Sequence, residues 1–282
     1  MQLAGVVPVN LMCRAIGRTR GAYYAWRRRS DGRRARANRR LLVEIRAVHE
    51  ASGRTYGSPR VHAELRAKGL LCSRKRVARL MRQARVRAVT YRRRRPRADR
   101  AHDWPPAPNV VARDFGTGAP DRVWLSDITY VPTAEGWLYV GLTMDLYSRR
   151  IVGWAAAALR DRRLTVSALS MALGRRRPDR ELVHHSDRGG QYACWDYTAL
   201  LRRHGIKMSM SRRGNPHDNA PMESFIRTLK VELIHRRRFD TREEARTAIA
   251  SYIELFYNCR RRHSALGYLS PAEYETQRTI PA

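Results

Sequence analysis

At 282 residues and 43% hydrophobic content, the chain has apolar material for one large domain or two smaller ones, which excludes wholesale disorder. Its formal net charge of +32 calls for a polyanionic partner; 29 of the 57 Lys and Arg but only 5 of the 25 Asp and Glu fall in residues 1–100, so the front half is suited to gripping a phosphate backbone. No apolar run approaches the ~20 residues that cross a bilayer, Met1–Asn10 lacks the marks of a signal peptide, and Cys13, Cys72, Cys194 and Cys259 are too scattered for a disulfide framework or a zinc knuckle. A cytoplasmic chain without membrane association is expected.

In chain order, LMCRAIGRTRGAYYAWRRR (residues 11–29) predicts two short helices, with Thr19 capping the second. From Arg39 to Glu50, Leu41, Leu42, Ile45 and Val48 recur at helical spacing. In YGSPRVHAELRAKGLLCSRKRVARLMRQ, Pro59 suits a first helical turn and Gly69 a helix end. Ser73 suits the cap of a further helix whose Val77, Leu80 and Met81 face inward. Helix, short glycine-containing turn, helix is the pattern of a helix-turn-helix, with Arg74, Lys75, Arg76 and Arg79 placed on or near the second helix to contact DNA. An ordinary helical hairpin with a solvated basic face has the same pattern, and the surrounding charge favours DNA. Residues 91–120 are rich in Arg, Pro and Gly, lack periodicity, and read as a basic linker.

The back half changes character. VWLSDITYV (123–131), WLYVGLTMDLY (137–147) and IVGWAAAAL (151–159) are apolar runs of strand length joined by short breaks, which predicts three consecutive antiparallel strands. Leu164–Leu173 reads as a helix, ELVHHSD (181–187) as a strand ending on an acid, Trp195–His204 as a helix and Ile206–Met210 as a short strand. The loop SRRGNPHDNA leads into a long helix from Pro221 to His235. The expected fold class is α/β, a mixed five-stranded sheet flanked by helices and preceded by an all-α region. The expected division is a helical DNA-binding region over 1–90, the linker over 91–120, and a core with its C-terminal tail over 121–282.

Three carboxylates stand out. Asp127 sits among Trp124, Leu125, Ile128 and Val131, where a carboxylate is costly to bury without a cation or strong hydrogen bonds. Asp187 ends a strand, where open sheets place their sites. Glu223 falls in the first turn of the last core helix, whose Met222, Ile226, Leu229 and Leu233 form an inward stripe; Lys230 follows two turns later on Glu223's face. A single Asp is most often a cap, a turn residue or half of an ion pair. Three carboxylates on separate, convergent elements suit a pair of Mg²⁺ ions, which prefer oxygen ligands and keep room for water and phosphate. Two such ions ~3.5–4 Å apart clamp the attacking and leaving oxygens of a phosphoryl displacement, and no protein nucleophile is needed.

Thirty-five residues separate Asp187 from Glu223, a spacing similar to that of retroviral integrases and many insertion-sequence transposases. The stretches WLSDITYVPTAEGWLYVGLTMDLYSRRIVGW, LVHHSDRGGQYA, GNPHDNAPMESFIRTLKVELIHRRRF and YIELFYNCRRRHSALGYLSPAEYE together resemble the OrfB transposase subunit of the IS-three group of bacterial insertion sequences. The front half resembles it too, through LMCRAIGRTRGAYYAW and YGSPRVHAELRAKGLLCSRKRVARLMR. The resemblance implies an RNase-H-like core in which Asp127, Asp187 and Glu223 match the catalytic metal-binding triad, with Mg²⁺ as cofactor and Mn²⁺ as a substitute. It implies that Lys230 touches DNA near the cleaved bond. Implied partners are double-stranded DNA, at element ends and at the target, further copies of the chain in the active complex, and an OrfA-type protein or fused upstream segment; the implied place is the bacterial nucleoid. Gly190 departs from the family's usual Ser, beside the site rather than in it. No sustained heptad is present.

Other residues carry competing readings. His184 and His185 flank the second carboxylate, and strand packing is preferred over metal ligation. Asp218 and Asn219 read as the start signature of the Glu223 helix. Ser224 has no evident base partner, and Tyr257 and Tyr268, near Arg260–His263, favour packing or backbone contact over recombinase chemistry. A plain RNase-H-like nuclease and a catalytically silent DNA-binding regulator are the alternatives to a transposase.

Overall fold

The computed structural model describes residues 7–28, 32–89, 107–178, 181–212 and 216–279. The front half is helical, as α1 (Val9–Ala15), α2 (Arg20–Arg28), α3 (Arg33–Ala51), α4 (Ser58–Ala67) and α5 (Arg74–Gln83). Thr19 Oγ1 accepts the Ala22 N–H at 3.1 Å at the start of α2. Ser73 Oγ accepts the Arg76 N–H at 3.2 Å and so caps α5. Gly69, at φ +78°, makes the left-handed turn after α4 that a residue with a Cβ would resist. Ile45 and Val48 of α3, Val61 and Leu65 of α4, and Val77, Leu80 and Met81 of α5 close one buried cluster, so α3–α5 form a unit with α4 and α5 as its helix-turn-helix.

The back half holds a five-stranded mixed sheet in the order β3-β2-β1-β4-β5. Strands β1 (Val123–Thr133), β2 (Gly136–Asp145) and β3 (Ile151–Ala157) form the antiparallel meander, and β4 (Val183–Ser186) and β5 (Lys207–Met210) add in parallel on the other side of β1. Consecutive residues of β1 go to opposite faces, as a two-residue period requires. Leu125 and Val131 join Met222, Phe225, Leu229, Ile249 and Ile253 on one face, while Trp124 joins Leu169, Ala172, Tyr197 and Leu201 on the other. The first face is covered by α9 (Ala220–Glu232) and α10 (Arg242–Ser251), the second by α6 (Arg162–Arg176) and α8 (Trp195–Arg203), with the short α7 (Gly190–Ala193) leading into α8. This is the RNase-H-like arrangement expected.

Two segments carry more structure than the sequence alone lays out. In the C-terminal tail of the core, α10 runs into a wide π-type turn at Tyr252–Tyr257, and α11 (Pro271–Thr279) closes it. Of the expected linker, residues 91–106 lie outside the described residues. Its continuation, 107–120, is anchored rather than loose. The Met210 N–H donates to Pro108 O at 3.3 Å, the Val110 N–H to Ser209 Oγ at 2.9 Å, and Val111 is buried. A Pro- and Gly-rich composition removes periodicity, yet an edge strand such as β5 still offers unpaired backbone groups for such a segment to satisfy. Among the described residues, no helix is long and apolar enough to cross a membrane.

The fit of α6 onto the sheet depends on small residues. A Cβ at Gly153 would stand 2.2 Å from the Ala168 carbonyl oxygen and 2.7 Å from the Ala172 nitrogen, both backbone atoms that cannot swing aside. Gly153→Ala should therefore destabilise the chain by about 1–3 kcal/mol, the usual range for overpacking, as measured by urea unfolding. Unchanged stability would show that α6 is not tightly seated.

Candidate active site

The site begins with strand register. β4 pairs with β1 through Val123↔Val183, Trp124↔His184 and Leu125↔His185, and no further. Continued two residues on, the same register sets Asp127 beside Asp187, where neighbouring strands are ~4.8 Å apart before they diverge. Both aspartates share the parity of Leu125, which faces α9. The chain leaves β4 at this point in a tight turn: the Gly189 N–H donates to Asp187 Oδ1 at 2.9 Å, and Arg188 Nε donates to Ser211 O at 2.8 Å beyond β5. A Cβ on Gly189 would meet that same Asp187 oxygen at 3.0 Å.

Glu223 arrives from the other direction. A 3-10 turn at Pro216–Asn219 precedes α9, and Pro221 occupies its first turn. Asn219 Nδ2 donates to the carbonyl of Ser126 at 3.2 Å, which ties the start of α9 to the residue before Asp127. Met222, Phe225 and Leu229 are buried against the sheet, and Glu223 is left exposed in the first turn.

The three carboxylates share one electrostatic field. Asp127 keeps part of its surface open to solvent, and its Oδ1 accepts the Ile128 N–H at 2.7 Å. Protein nevertheless surrounds the carboxyl closely enough that burial first, then the charge of Asp187, then that of Glu223, push it up to about 8 against the pull of the Ile128 N–H and, more weakly, of Arg160. Burial leads the upward push on the Tyr192 phenol too, followed by Asp187 and Asp127, which places that buried ring beside the pair. Lys230, two turns along α9, holds its Nζ 4.5 Å from the centre of the Tyr130 ring. Burial lowers its pKa while Asp127 raises it, so the ammonium lies within reach of the same field.

Each expected residue can be placed. His184 and His185 are both buried. His184 Nε2 meets Ser126 Oγ at 2.8 Å and Tyr197 Oη at 2.9 Å, and His185 meets Ser209 Oγ at 2.8 Å and Ser211 Oγ at 3.0 Å. Burial holds them neutral, at about 3 and about 4. They pack the sheet. Asp218 is not a helix cap. Its buried carboxylate accepts from Arg212 (2.8 and 3.0 Å), Arg113 (2.9 Å) and Asn109 (2.9 Å), and the hydrogen bonds from Arg212 lead in holding it well below the usual carboxylate range. Short-range pattern missed this because two of its partners lie 105 and 109 residues away. Tyr257 is buried with its ring 4.5 Å from that of Phe225, Tyr268 is half-buried, and Ser224 is exposed on α9. On α5, Arg74, Lys75 and Arg79 are exposed, whereas Arg76 is half-buried and donates from Nε to Asn38 Oδ1 of α3 at 2.9 Å, so part of its role is internal.

The raised Asp127 carboxyl sets a pH dependence. In the folded chain it keeps its proton up to about 8, whereas in the unfolded chain it has already lost it, so its contribution to stability falls as pH climbs from the ordinary aspartate range toward 8. In metal-free buffer, Asp127→Asn should melt higher than the wild type by at least ~2 °C at pH 9 and by less at pH 5. A difference that is absent, or that grows toward acid pH, would contradict the carboxylate cluster.

The comparisons with known proteins agree with this architecture. Family profiles of an integrase core domain match residues 118–216 and 204–271, and an HTH-like domain matches residues 36–95. An uncharacterized 31 kDa protein of insertion element IS600 from Shigella sonnei is 44% identical over 263 residues, covering 93% of this chain and 97% of that protein. Transposase InsF for insertion sequence IS3A from Escherichia coli (strain K12) is 40% identical over 271 residues, covering 95% and 94%. Among solved structures, a chain of the simian T-cell lymphotropic virus intasome is similar at 12% identity and a TM-score of 0.47, covering 84% of this chain and 76% of that one. With 40% identity along nearly its full length and an integrase-type core, the chain belongs to the IS3-family transposases.

Proposed function

We propose that Asp127, Asp187 and Glu223 are the catalytic carboxylates of this transposase, and that they hold two Mg²⁺ ions, or Mn²⁺ in their place. The observation that carries the reading is that Asp127 is forced up to about 8 by burial and by both other acids, on a β1–β4 register that, continued two residues, sets Asp187 beside it. A costly concentration of negative charge at the mouth of a sheet fits a cation partner, and the donors are all oxygen, as Mg²⁺ prefers. Among the described residues, no group of three or more His, Cys, Asp and Glu is drawn together into a ready metal site; this reading has the cations take much of their shells from water and DNA phosphate.

Bound there, the cations would supply charge neutralisation at the reacting phosphate and an activated attacking oxygen. The chain's own groups do the rest. Asp127 is fixed within β1, Asp187 is pinned just beyond β4 by the Gly189 N–H, and Glu223 is aimed by the Asn219 tether to Ser126. Lys230, braced on Tyr130, offers its ammonium to the phosphate next to the cut. The exposed Arg74, Lys75 and Arg79 of α5 hold the duplex, and Arg76 both contacts DNA and steadies α5 on α3. The reaction has two balanced halves: water adds to a phosphorus at the element end and releases a 3′-hydroxyl, and that hydroxyl then displaces a 3′-oxygen from a target phosphodiester, so one ester bond is exchanged for another. Ends and target must be held together, which fits a homo-oligomer on DNA, an OrfA-type partner or fused upstream segment for end recognition, and residence at the nucleoid. The division into a DNA-binding front over 1–90, a linker from 91 and a core from 121 is part of the same proposal.

The test is a strand-transfer assay with Mg²⁺ on duplexes carrying the inverted repeats that flank the gene. Joined products support the proposal; cleavage without joining would make the chain a nuclease, and binding alone a regulator. Asp127→Asn and Glu223→Gln should each reduce cleavage at least ~100-fold while leaving DNA affinity within a few-fold, since removing a key transition-state group costs that much or more. Retained cleavage in either variant would overturn the assignment. Neutralising Arg74, Lys75 and Arg79 together should weaken binding and make the slope of log affinity against log salt shallower by up to about 3, close to one unit per lost phosphate contact. An unchanged slope would place the DNA elsewhere.

A further inference from the structure

Two consecutive arginines near the C-terminus face different units of the molecule. Arg261 turns into the core, where its Nη2 and Nε reach Glu232 at 2.7 and 2.9 Å, with both side chains only 5% and 7% exposed. Tyr252 Oη donates to the same carboxylate at 2.7 Å. Glu232 is the last residue of α9, the helix whose first turn carries Glu223. Arg262 turns outward, toward the helical unit. Its N–H donates to Tyr56 Oη at 2.8 Å, its Nε to Glu64 at 2.7 Å, and its carbonyl accepts Arg60 Nε at 2.8 Å. Its Nη1 reaches Glu273 at 2.9 Å, which braces it from behind. Arg60 and Glu64 lie on α4, the first helix of the helix-turn-helix, and Tyr56 belongs to the same buried cluster as α5. Phe256, in the turn that leads to this pair, packs against that cluster. The two units are therefore joined by directional, partly buried contacts as well as by the connecting chain.

A buried arginine–carboxylate pair contributes little net stability, because desolvation offsets its attraction, but it tolerates little misorientation: losing one partner strands a charge. We infer that Arg261 and Arg262 are positioning residues that couple the helix-turn-helix to the Glu223 helix as one body, so that DNA held by α5 meets the three carboxylates at a fixed offset. This rests on the reading of α5 as the DNA grip and of the triad as the cutting site. The chain then acts as a ruler, and the cut falls a set number of base pairs from the grip.

The test breaks the outward half of the link at the side chains that the helical unit supplies, with Tyr56→Phe and Glu64→Ala combined in the full chain, since Arg261 variants risk unfolding the core. In hydrogen exchange, amides of α4, of residues 252–262 and of α9 should lose protection together, by about tenfold or more, because coupled elements open as one unit. Loss confined to α4 would overturn the coupling. On a Mg²⁺-supplied duplex bearing the flanking repeats, the double variant should still bind, its cuts should spread to neighbouring phosphates, and its rate should fall at least ~10-fold, given how steeply rate depends on alignment. Arg262→Lys, which keeps the charge but not the fork that serves Glu64 and Glu273, should fall between. A single cut position at the wild-type rate in the double variant would overturn the ruler. Failure of the wild type itself to cut would count against the catalytic proposal, and the exchange result would stand apart from it.

Discussion

The rest of the site depends on one enforced repulsion. The register of β1 on β4, continued two residues past the ladder, sets Asp127 alongside Asp187, and burial together with the charge of Asp187 raises the cost of charging Asp127. A sheet assembled for stability alone would not place acids there. The surrounding structure compensates by fixing them rigidly: the meander holds β1 from one side, the Gly189 turn pins Asp187, and Asn219 pins α9 to the carbonyl of Ser126. The histidines of β4 are kept neutral by burial and so add no positive charge beside the acids.

Beyond the acids, the molecule spends many of its own arginines on architecture. Asp218 gathers Arg113, Arg212 and Asn109, and so fastens the segment before β1 and the chain two residues past β5 to the entrance of α9. Glu232 and Glu64 then receive Arg261 and Arg262. In a chain of net charge +32 the scarce acids are the limiting partners, and several sit where separate segments must be held in register. The excess positive charge is left to exposed side chains such as Arg74, Lys75 and Arg79.

Much of this was legible in the sequence because local rules govern it. Ser73 and Thr19 cap the helices they precede, Trp124 and Leu125 divide between two faces, and the strand lengths and short turns of the meander follow from apolar runs and their breaks. The triad stood out through its flanking motifs and spacing. Long-range pairing was not legible. Glu64 and Arg262 are 198 positions apart, and nothing in either neighbourhood marks them as partners. Arg76 sits among basic neighbours yet bonds to Asn38, a difference that only the packing of α3 on α5 reveals. The segment after α9 carries a helical signal as well, since Ala245, Ile249, Tyr252, Ile253 and Tyr257 recur at helical spacing and are buried together; the wide turn at Tyr252–Tyr257 is the part that such spacing does not announce.

The central claim is that the three carboxylates converge to hold cations. The most direct measurement is diffraction from crystals soaked in Mn²⁺, with the metal located by its anomalous scattering. The account predicts anomalous density bounded by the carboxylates of Asp127, Asp187 and Glu223, and its loss in Asp127→Asn. Manganese bound elsewhere with that cluster empty, or density that persists unchanged in the variant, would contradict it.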